Sequence, residues 1–337
     1  QAFSSIEYIM RDVDYGWVIR YMHTTGASLF FAVVYLHMFR GLLYGSYQKP
    51  KELVWIFGCT IYLAMMAEGF LGYVLPYGQM SYWGAQVIIS LFGAIPYIGE
   101  SLELWVRGDY YISGITVSRF FALHVVALPL VLIALVFLHL VALHEVGAGN
   151  PEGVDIEEHL DEDGVPLDSV PFFPYKVLNA LVAIGVFMTV FSIIMFFFPE
   201  GGGYFIEMAN FQEANPLVTP DHIAPVWYYA PFYTMLRAIP DPLGGLIVMA
   251  SAVAIFFIVP WLDRSKVASI RYKGIYSKIA ITMFGVSFLT LGYLGTVGVT
   301  EVRKTMSVIC TIIYFAYFLL MPIYTKYETT KEVPERL

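Results

Sequence analysis

Residues 23–37 read HTTGASLFFAVVYLH, an apolar run that begins and ends with a histidine. Residues 119–143 read RFFALHVVALPLVLIALVFLHLVAL and carry His124 and His139 in a similar run. The two histidines are 14 residues apart in the first run and 15 apart in the second. At 100° per residue, both spacings leave the pair on one helix face, about 21–22 Å apart along the axis. Two such helices packed together would therefore form two histidine pairs, one near each membrane surface.

The composition of the chain indicates a polytopic membrane protein. Of its 337 residues, 58% are hydrophobic and only 14% are charged, whereas soluble domains have about a quarter charged residues. Helices are expected in lipid because every backbone group must be hydrogen-bonded within its own segment. The net charge of −8, without a basic run, gives no indication of nucleic-acid binding. We predict an all-α transmembrane bundle with seven spans, at about residues 21–45, 53–74, 116–143, 177–198, 243–262, 277–297 and 304–324.

Two long connectors are rich in aromatic residues, Pro and Gly. Residues 75–115 contain PYGQMSYWGAQVIISLFGAIPYIGE, for which we predict short amphipathic helices at the membrane interface. Residues 199–242 contain APVWYYAPFYTMLRAIPDP. Twelve of the 19 basic residues lie in or beside the connectors after spans one, three and five and in the C-terminal tail. This places those segments in the cytoplasm and both aromatic connectors on the opposite, positive side. An acidic stretch at 145–170 divides the chain into two predicted domains, 1–150 and 151–337.

The four histidines predict two metal centres of the bis-imidazole type. A single intramembrane histidine is often a hydrogen-bonding core residue or part of a proton relay. Four at matched spacing on two helices instead favour axial ligation of two haem irons. Pro129 lies between His124 and His139, and the kink it introduces can absorb the extra residue of that pair.

Other residues near the histidines suit a haem, although they also have ordinary roles. Glycines leave room for a flat macrocycle, but they are common at helix contacts in membranes as well. Arginines near the span ends can pair with haem propionates. These candidates are Gly26, Gly58, Gly72, Arg20, Arg40 and Arg119.

Several stretches resemble one known family, cytochrome b of the cytochrome bc complex, in its bacterial (proteobacterial) form. The resemblance extends over essentially the whole chain. It is carried by DVDYGWVIRYMHTTGAS, YLHMFRGLLYGSY, RFFALHVVALPL, FLHLVALH, FLGYVLPYGQMSYWGAQVI and PVWYYAPFYTMLRAIP.

The resemblance implies a di-haem b-type cytochrome that acts in quinol:cytochrome c oxidoreduction. His23 and His124 would bind the low-potential haem on the positive side, and His37 and His139 the high-potential haem nearer the cytoplasm. Members have eight spans, so we expect a further helix before the segment that begins at Gln1. The implied partners are a Rieske iron–sulfur protein, a c-type cytochrome, lipid and a second copy of the complex. The implied location is the bacterial inner membrane.

The resemblance also implies two quinone sites, with ubiquinol oxidised on the positive side and quinone reduced near the cytoplasm while protons are translocated. At the quinone-reducing site it implies His144 and Asn150. Taken without the motif, the aromatic residues are also typical of an interfacial belt. The quinol pocket would include Phe70, Gly84, Ile88, Pro225, Val226, Trp227, Tyr228 and Tyr233.

The chain departs from the family pattern at both quinone sites. Val226 stands where members usually carry a carboxylate, and valine has no titratable group for accepting a proton. Asn179 and Ala180 stand where a Lys–Asp pair is common, so we expect His144 to carry more of the proton delivery there. For the positive side we favour His222, whose imidazole exchanges protons near neutral pH, although it is also an ordinary loop residue. The other candidates are Tyr73, Tyr82, Tyr228, Tyr233, Glu200, Glu207 and Asp221.

Two other classes of protein share part of this pattern. The di-haem membrane anchor of a dehydrogenase or hydrogenase shares the bis-histidine arrangement but would lack the PVWY loop and the long interfacial segment. A transporter with a histidine proton relay would bind no haem at all.

Overall fold

The computed structural model describes residues 2–337, and the regular structure of this part of the chain is helical throughout, without a strand. Seven of its helices are long and apolar enough to cross a membrane. The helices are α1 (Ala2–Arg11), α2 (Gly16–Tyr44), α3 (Glu52–Val74), α4 (Gln79–Ser90), α5 (Gly99–Arg107), α6 (Gly114–Val146), α7 (Val177–Phe197), α8 (Ala230–Ala238), α9 (Pro242–Leu262), α10 (Ile275–Thr296), α11 (Glu301–Leu319) and α12 (Met321–Tyr327).

The seven predicted spans are confirmed, and their ends lie within a few residues of the predicted ones. The spanning helices are α2, α3, α6, α7, α9, α10 and α11. The connector between α3 and α6 contains α4 and α5, which are the short helices expected from its sequence. Apolar composition over a span's length therefore suffices to locate these helices.

Helix α6 contains the extra residue of the 15-residue histidine spacing as a π-helical turn at Leu123–Ala127. In this turn the N–H of Leu128 donates to the carbonyl of Leu123, five residues earlier. A π turn holds one residue more than an α turn, and Pro129 follows directly, without an N–H of its own. The extra residue is thus absorbed in the turn just before the proline, and that turn contains His124.

The helices form two packed groups that share one core. Helix α3 packs along α6, and α10 packs against α8 and α11. Trp55 on α3 donates its indole N–H to the carbonyl of Phe256 on α9 at 2.7 Å. Tyr314 on α11 donates to the carbonyl of Ala252 on α9 at 2.7 Å. The Trp55 bond joins the two halves of the chain, and the Tyr314 bond holds α11 to α9 within the second half.

A buried charged cluster lies between the end of α2 and the connector from α9 to α10. Lys273 forms an ion pair with Asp263, whose side chain is fully buried. Tyr47 donates to the same carboxylate at 2.7 Å and Gln48 at 2.9 Å. Burial raises the pKa of Asp263, but the Lys273 charge and the hydrogen bonds to the carboxylate outweigh it, so the pKa is lowered overall. Burial and the neighbouring Asp263 charge raise the pKa of Tyr47. The ion pair is therefore stable at neutral pH.

Candidate functional site

The four histidines form two pairs, each joining α2 to α6. The rings of His23 and His124, here called the first pair, have centroids 6.1 Å apart at an interplanar angle of 81°. The rings of His37 and His139, the second pair, are 6.3 Å apart at 77°. The sequence spacing predicted two pairs, because it keeps both histidines of each helix on one face, and the family resemblance implied which histidines form each pair.

The separation of the rings fits a metal ion between them. Imidazole nitrogens lie about 2 Å from a bound metal, so two axial imidazoles have ring centres about 6 Å apart. Both pairs have that separation. Among the described residues 2–337, no group of three or more His, Cys, Asp and Glu side chains could hold a metal. The donor set is thus two imidazoles per centre, and a porphyrin would have to supply the remaining ligands.

Two of the three predicted glycines lie against the histidine rings. A methyl group on Gly72 would overlap the ring of His124, and one on Gly58 would lie 3.3 Å from Cε1 of His139. Gly26 instead faces Phe191 of α7, at 3.7 Å. Gly72 and Gly58 therefore let the rings of His124 and His139 pack against α3, whereas Gly26 lies at a contact between α2 and α7.

The three predicted arginines have different surroundings. Arg20 lines a small cavity of about 80 Å³ together with His23 and His124. The guanidinium of Arg119 donates to the carbonyl of Trp105 at 2.8 Å. Arg40 is exposed at the end of α2 nearer the second pair. Arg20 and Arg40 thus each lie near one histidine pair, whereas Arg119 is bonded to a backbone carbonyl.

A larger cavity of about 540 Å³ lies between α3, α4, α8 and α9, beside the PVWY loop (residues 225–228). Its lining is almost entirely apolar and aromatic, as expected for a site that takes a hydrophobic ring with a tail. Tyr73 and Tyr229 also line it, and the sequence analysis had not placed Tyr229 there. Six of the eight predicted quinol-pocket residues line this cavity, namely Phe70, Gly84, Ile88, Pro225, Val226 and Tyr233.

The other two residues of the predicted pocket hold the loop in place instead. Trp227 donates its indole N–H to the hydroxyl of Ser28 at 3.3 Å. The ring of Tyr228 stacks on Phe31 with centroids 3.9 Å apart, and its carbonyl accepts from the hydroxyl of Tyr35. These contacts fix the loop to α2, so that the adjoining Val226 is buried at the cavity wall.

Val226 and Tyr73 line three neighbouring cavities at once. The first is the large apolar cavity, and the second is the small cavity that contains His23 and His124. The third, of about 290 Å³, is more polar and is lined by Glu207 and His222. The two residues therefore form a wall between an apolar site, a histidine pair and a polar chamber.

The predicted proton acceptors lie in different places. Glu207, His222 and Tyr73 reach the polar chamber. Tyr233 donates to the carbonyl of Ile223 at 3.2 Å. Burial raises its pKa, and the guanidinium of Arg237, 4.5 Å from its ring, partly offsets this. Its phenol therefore stays protonated at neutral pH and serves as a donor.

The remaining candidates for the positive side lie away from this chamber. Asp221 is exposed in the loop, and Glu200 lies near Tyr21. Tyr82 is buried among apolar residues of α3 and α4, including Leu71, and burial raises its pKa. The ring of Tyr228 stacks on Phe31 and so packs the PVWY loop against α2.

Near the second pair, the predicted quinone-reducing residues are more open. His144 is exposed in the last turn of α6 and makes no hydrogen bond or ion pair within residues 2–337. The side chain of Asn150 donates to the carbonyl of Val154 at 2.7 Å and accepts from the N–H of Gly153 at 2.8 Å. Both polar groups of Asn150 thus bond to its own loop.

The sequence analysis missed Glu68, an acidic residue inside the apolar span of α3. Its Oε1 lies 2.9 Å from Nδ1 of His124, and its backbone carbonyl lies 3.0 Å from the same nitrogen. The other oxygen, Oε2, is buried and makes no hydrogen bond among the described residues. An ionisable side chain inside a span is costly and is usually functional, which was a signal available from the sequence.

Comparisons with known proteins agree on one family. The family model Cytochrome b/b6/petB matches residues 1–147, and Cytochrome b(C-terminal)/b6/petD matches residues 213–315. Cytochrome b of Allochromatium vinosum is 56% identical, with 100% of this chain and 83% of that protein covered. Cytochrome b of Rickettsia bellii is 48% identical, with 100% and 81% covered. A chain of hyperthermophilic respiratory Complex III has a TM-score of 0.89 and 35% identity, covering 97% of this chain and 83% of that one.

Proposed function

The chain belongs to the cytochrome b family, and from that premise we propose that it is the di-haem subunit of a quinol:cytochrome c oxidoreductase. The single observation that carries the proposal is the wall formed by Val226 and Tyr73. It separates an apolar cavity large enough for a quinol ring from a pocket that contains a histidine pair. An oxidation site next to an electron acceptor is what quinol oxidation requires.

Each histidine pair would hold one b-type haem through its Nε2 nitrogens. The support for two haems is that both pairs have the ring separation of bis-imidazole ligation. Gly72 and Gly58 let the two α6 histidines pack against α3, and Arg20 is placed to pair with a propionate of the haem at the first pair. When bound, the haems supply one-electron redox centres that span the low-dielectric layer.

The large cavity would bind ubiquinol by its apolar lining, with the ring near Tyr73 and Val226. One electron of each quinol would go to a Rieske iron–sulfur partner and the other toward the first pair. The chain itself provides the positioning, because the PVWY loop is held by Trp227 and Tyr228 against α2. The loop thus keeps Val226 buried between the two sites.

We place the exit of the quinol protons in the polar chamber. Val226 accepts no proton, and the titratable groups that line the chamber are Tyr73, Tyr204, Glu207 and His222. Glu207 and His222 reach the chamber from the connector between α7 and α8. Protons would leave through water between these groups, on the positive side of the membrane.

Quinone reduction would take place at the cytoplasmic end, where His144 is exposed near the second pair. A histidine there can deliver protons from the cytoplasm. The polar groups of Asn150 are occupied by its loop, so its contribution would be to shape the loop after α6.

The assembly that follows from this function contains a Rieske protein and a c-type cytochrome, and is dimeric. The chain is a multi-pass membrane protein, and the bacterial relatives support a bacterial inner membrane. The rival function is a di-haem anchor of a dehydrogenase or hydrogenase. Such an anchor would have the histidine pairs, but its function would not require the apolar cavity beside the PVWY loop.

Purification of the complex from membranes tests the proposal. We expect a reduced-minus-oxidised spectrum with a b-type band equivalent to two haems per chain. We also expect a co-purifying Rieske protein and reduction of cytochrome c by quinol. Two haems without a Rieske protein or cytochrome c reduction would support the anchor instead, and a complex without haem would exclude both.

A further inference from the structure

The two histidine pairs differ in what binds the outer nitrogen of the α6 histidine. Nδ1 of His124 lies 2.9 Å from the carboxylate Oε1 of Glu68 and 3.0 Å from the Glu68 carbonyl. Nδ1 of His139 is buried and makes no hydrogen bond within residues 2–337. Within residues 2–337, His124 is the one member of the four with a carboxylate partner. The difference is specific to one side chain of α3.

The hydrogen bond restricts the tautomer and the orientation of the His124 imidazole. A neutral imidazole that binds iron through Nε2 keeps its proton on Nδ1, where it can donate to Glu68. Carboxylate partners of this kind fix the ring of a metal ligand and raise the basicity of the nitrogen that binds the metal. The side chain of Glu68 is about four-fifths buried, so the bond is only partly exposed to solvent.

We propose that Glu68 is a positioning residue for the haem at the first pair, which it holds at a lower midpoint potential than a backbone acceptor alone would. The proposal rests on the haem binding proposed above. A more basic axial ligand stabilises ferric over ferrous iron, and hydrogen bonding to the ligand is one of the ways in which a protein sets haem potential. Glu68 thereby contributes to the difference in potential between the two haems.

The expected effect of removing the carboxylate follows from the behaviour of such partners. Their loss typically changes metal affinity by about tenfold or more. If the loss of affinity affects mainly ferric haem, the ratio of ferric to ferrous haem at a given potential falls by about tenfold. For a one-electron couple this corresponds to a rise in midpoint potential of about 59 mV. The potential of the haem at the first pair should therefore rise, and that of the second should stay where it is.

Redox titration of the purified complex, followed by visible absorbance, measures both potentials. Glu68→Gln keeps the size of the side chain, and Glu68→Thr is a second variant without the carboxylate. Both are expected to raise the first-pair potential by about 59 mV. Glu68→Asp, which retains the carboxylate, should return at least half of the shift. The wave that persists in His37→Leu identifies the first pair.

Glu52→Gln is the matched control, because it removes a carboxylate from the same helix, about 24 Å along the axis from Glu68. It should leave the first-pair potential unchanged. If Glu68→Gln and Glu68→Thr both retain two haems and neither haem changes its potential, the role of Glu68 is overturned while the proposed function stands. A first-pair shift in Glu52→Gln equal to that in Glu68→Gln would also overturn it, since net charge would then be the cause. A wild-type complex without haem would overturn the proposed function first.

Discussion

At one end of the bundle Nδ1 of His124 lies within hydrogen-bonding distance of Glu68, and the His124 ring lies where a methyl group on Gly72 would be. His124 and Arg20 line the same small cavity. At the other end a methyl group on Gly58 would lie 3.3 Å from the ring of His139, whose Nδ1 makes no hydrogen bond within residues 2–337, and Arg40 and His144 are exposed. Both ends have nearly the same ligand spacing in the sequence, and in each pair the α2 histidine is exposed and the α6 histidine is half-buried. Ligand spacing thus defines two similar sites, whereas the residues around them give only His124 a carboxylate partner and the tighter contact with α3.

The largest effect is expected from removing a ligand of either pair. His37→Leu leaves the second pair with one imidazole, so that haem should be lost while the first-pair haem stays. The haem content should fall from two per chain to one, measured by pyridine haemochrome against protein. Stability to heat should fall as well, because a bound cofactor stabilises the folded state. His23→Leu should give the same count with the other haem remaining, and two full haems in either variant would refute the pairing.

The charged cluster on the same membrane side as the second pair should affect stability without affecting haem. Asp263→Asn leaves Lys273 buried without its partner charge, which costs about 3–5 kcal/mol of folding free energy. Because the pKa of Asp263 is lowered in the folded protein, its contribution is present above the unfolded pKa and is lost as pH falls through the folded value. Thermal unfolding at neutral and acid pH measures this, with the two-haem content unchanged. A variant as stable as the parent at neutral pH would contradict it.

Adding a methyl group to Gly72 and to Gly58 should show how tightly the rings of His124 and His139 pack against α3. Gly72→Ala forces the ring of His124 to move, a change of the kind that costs about 1–3 kcal/mol. Gly58→Ala meets His139 at 3.3 Å and should cost less. The retention of each haem during mild detergent treatment compares them, with Gly26→Ala as a control that contacts Phe191 instead. Equal haem loss in Gly72→Ala and Gly58→Ala would contradict the expected difference in how tightly the two histidine rings pack against α3.

Replacing the titratable residues that line the polar chamber should slow quinol oxidation. His222→Ala should slow quinol oxidation roughly tenfold, or about 1.4 kcal/mol in the barrier, and shift the acid limb of the pH–rate profile. Glu207→Gln should act in the same direction. Val226→Glu, which places a carboxylate at the wall, should partly restore turnover in the His222→Ala background. Native turnover and an unmoved profile in both single variants would exclude the proton exit proposed here.

The smallest effect is expected near the second pair, where His144 is exposed. His144→Leu should slow reoxidation of the second-pair haem by quinone a few-fold, while haem reduction through the positive-side site continues. The effect is limited because an exposed site is accessible to water and to other proton donors. Stopped-flow absorbance in the presence of quinone separates the two steps. An unchanged reoxidation rate would indicate that another group, such as an acidic residue in 155–163, delivers the proton.

Much of the candidate site could be predicted from local patterns. The histidines, Gly58 and Gly72 are recognised by their spacing on single helices, and six of the eight quinol-pocket residues were placed by the motifs around them. The roles of Trp227 and Tyr228 were not, because their contacts lie on α2, far away in the chain. The division into residues 1–150 and 151–337 stays a prediction.

What the sequence determined by itself was the set of spans and the two histidine pairs. Both follow from periodicity and from lipid, which requires every backbone group to bond within its helix. The tertiary structure decided which pair gains a carboxylate partner, because it brings Glu68 of α3 to His124 of α6. It also places Val226 between three cavities. Such contacts join residues more than 50 positions apart, and they depend on how the helices pack rather than on any pattern within one helix.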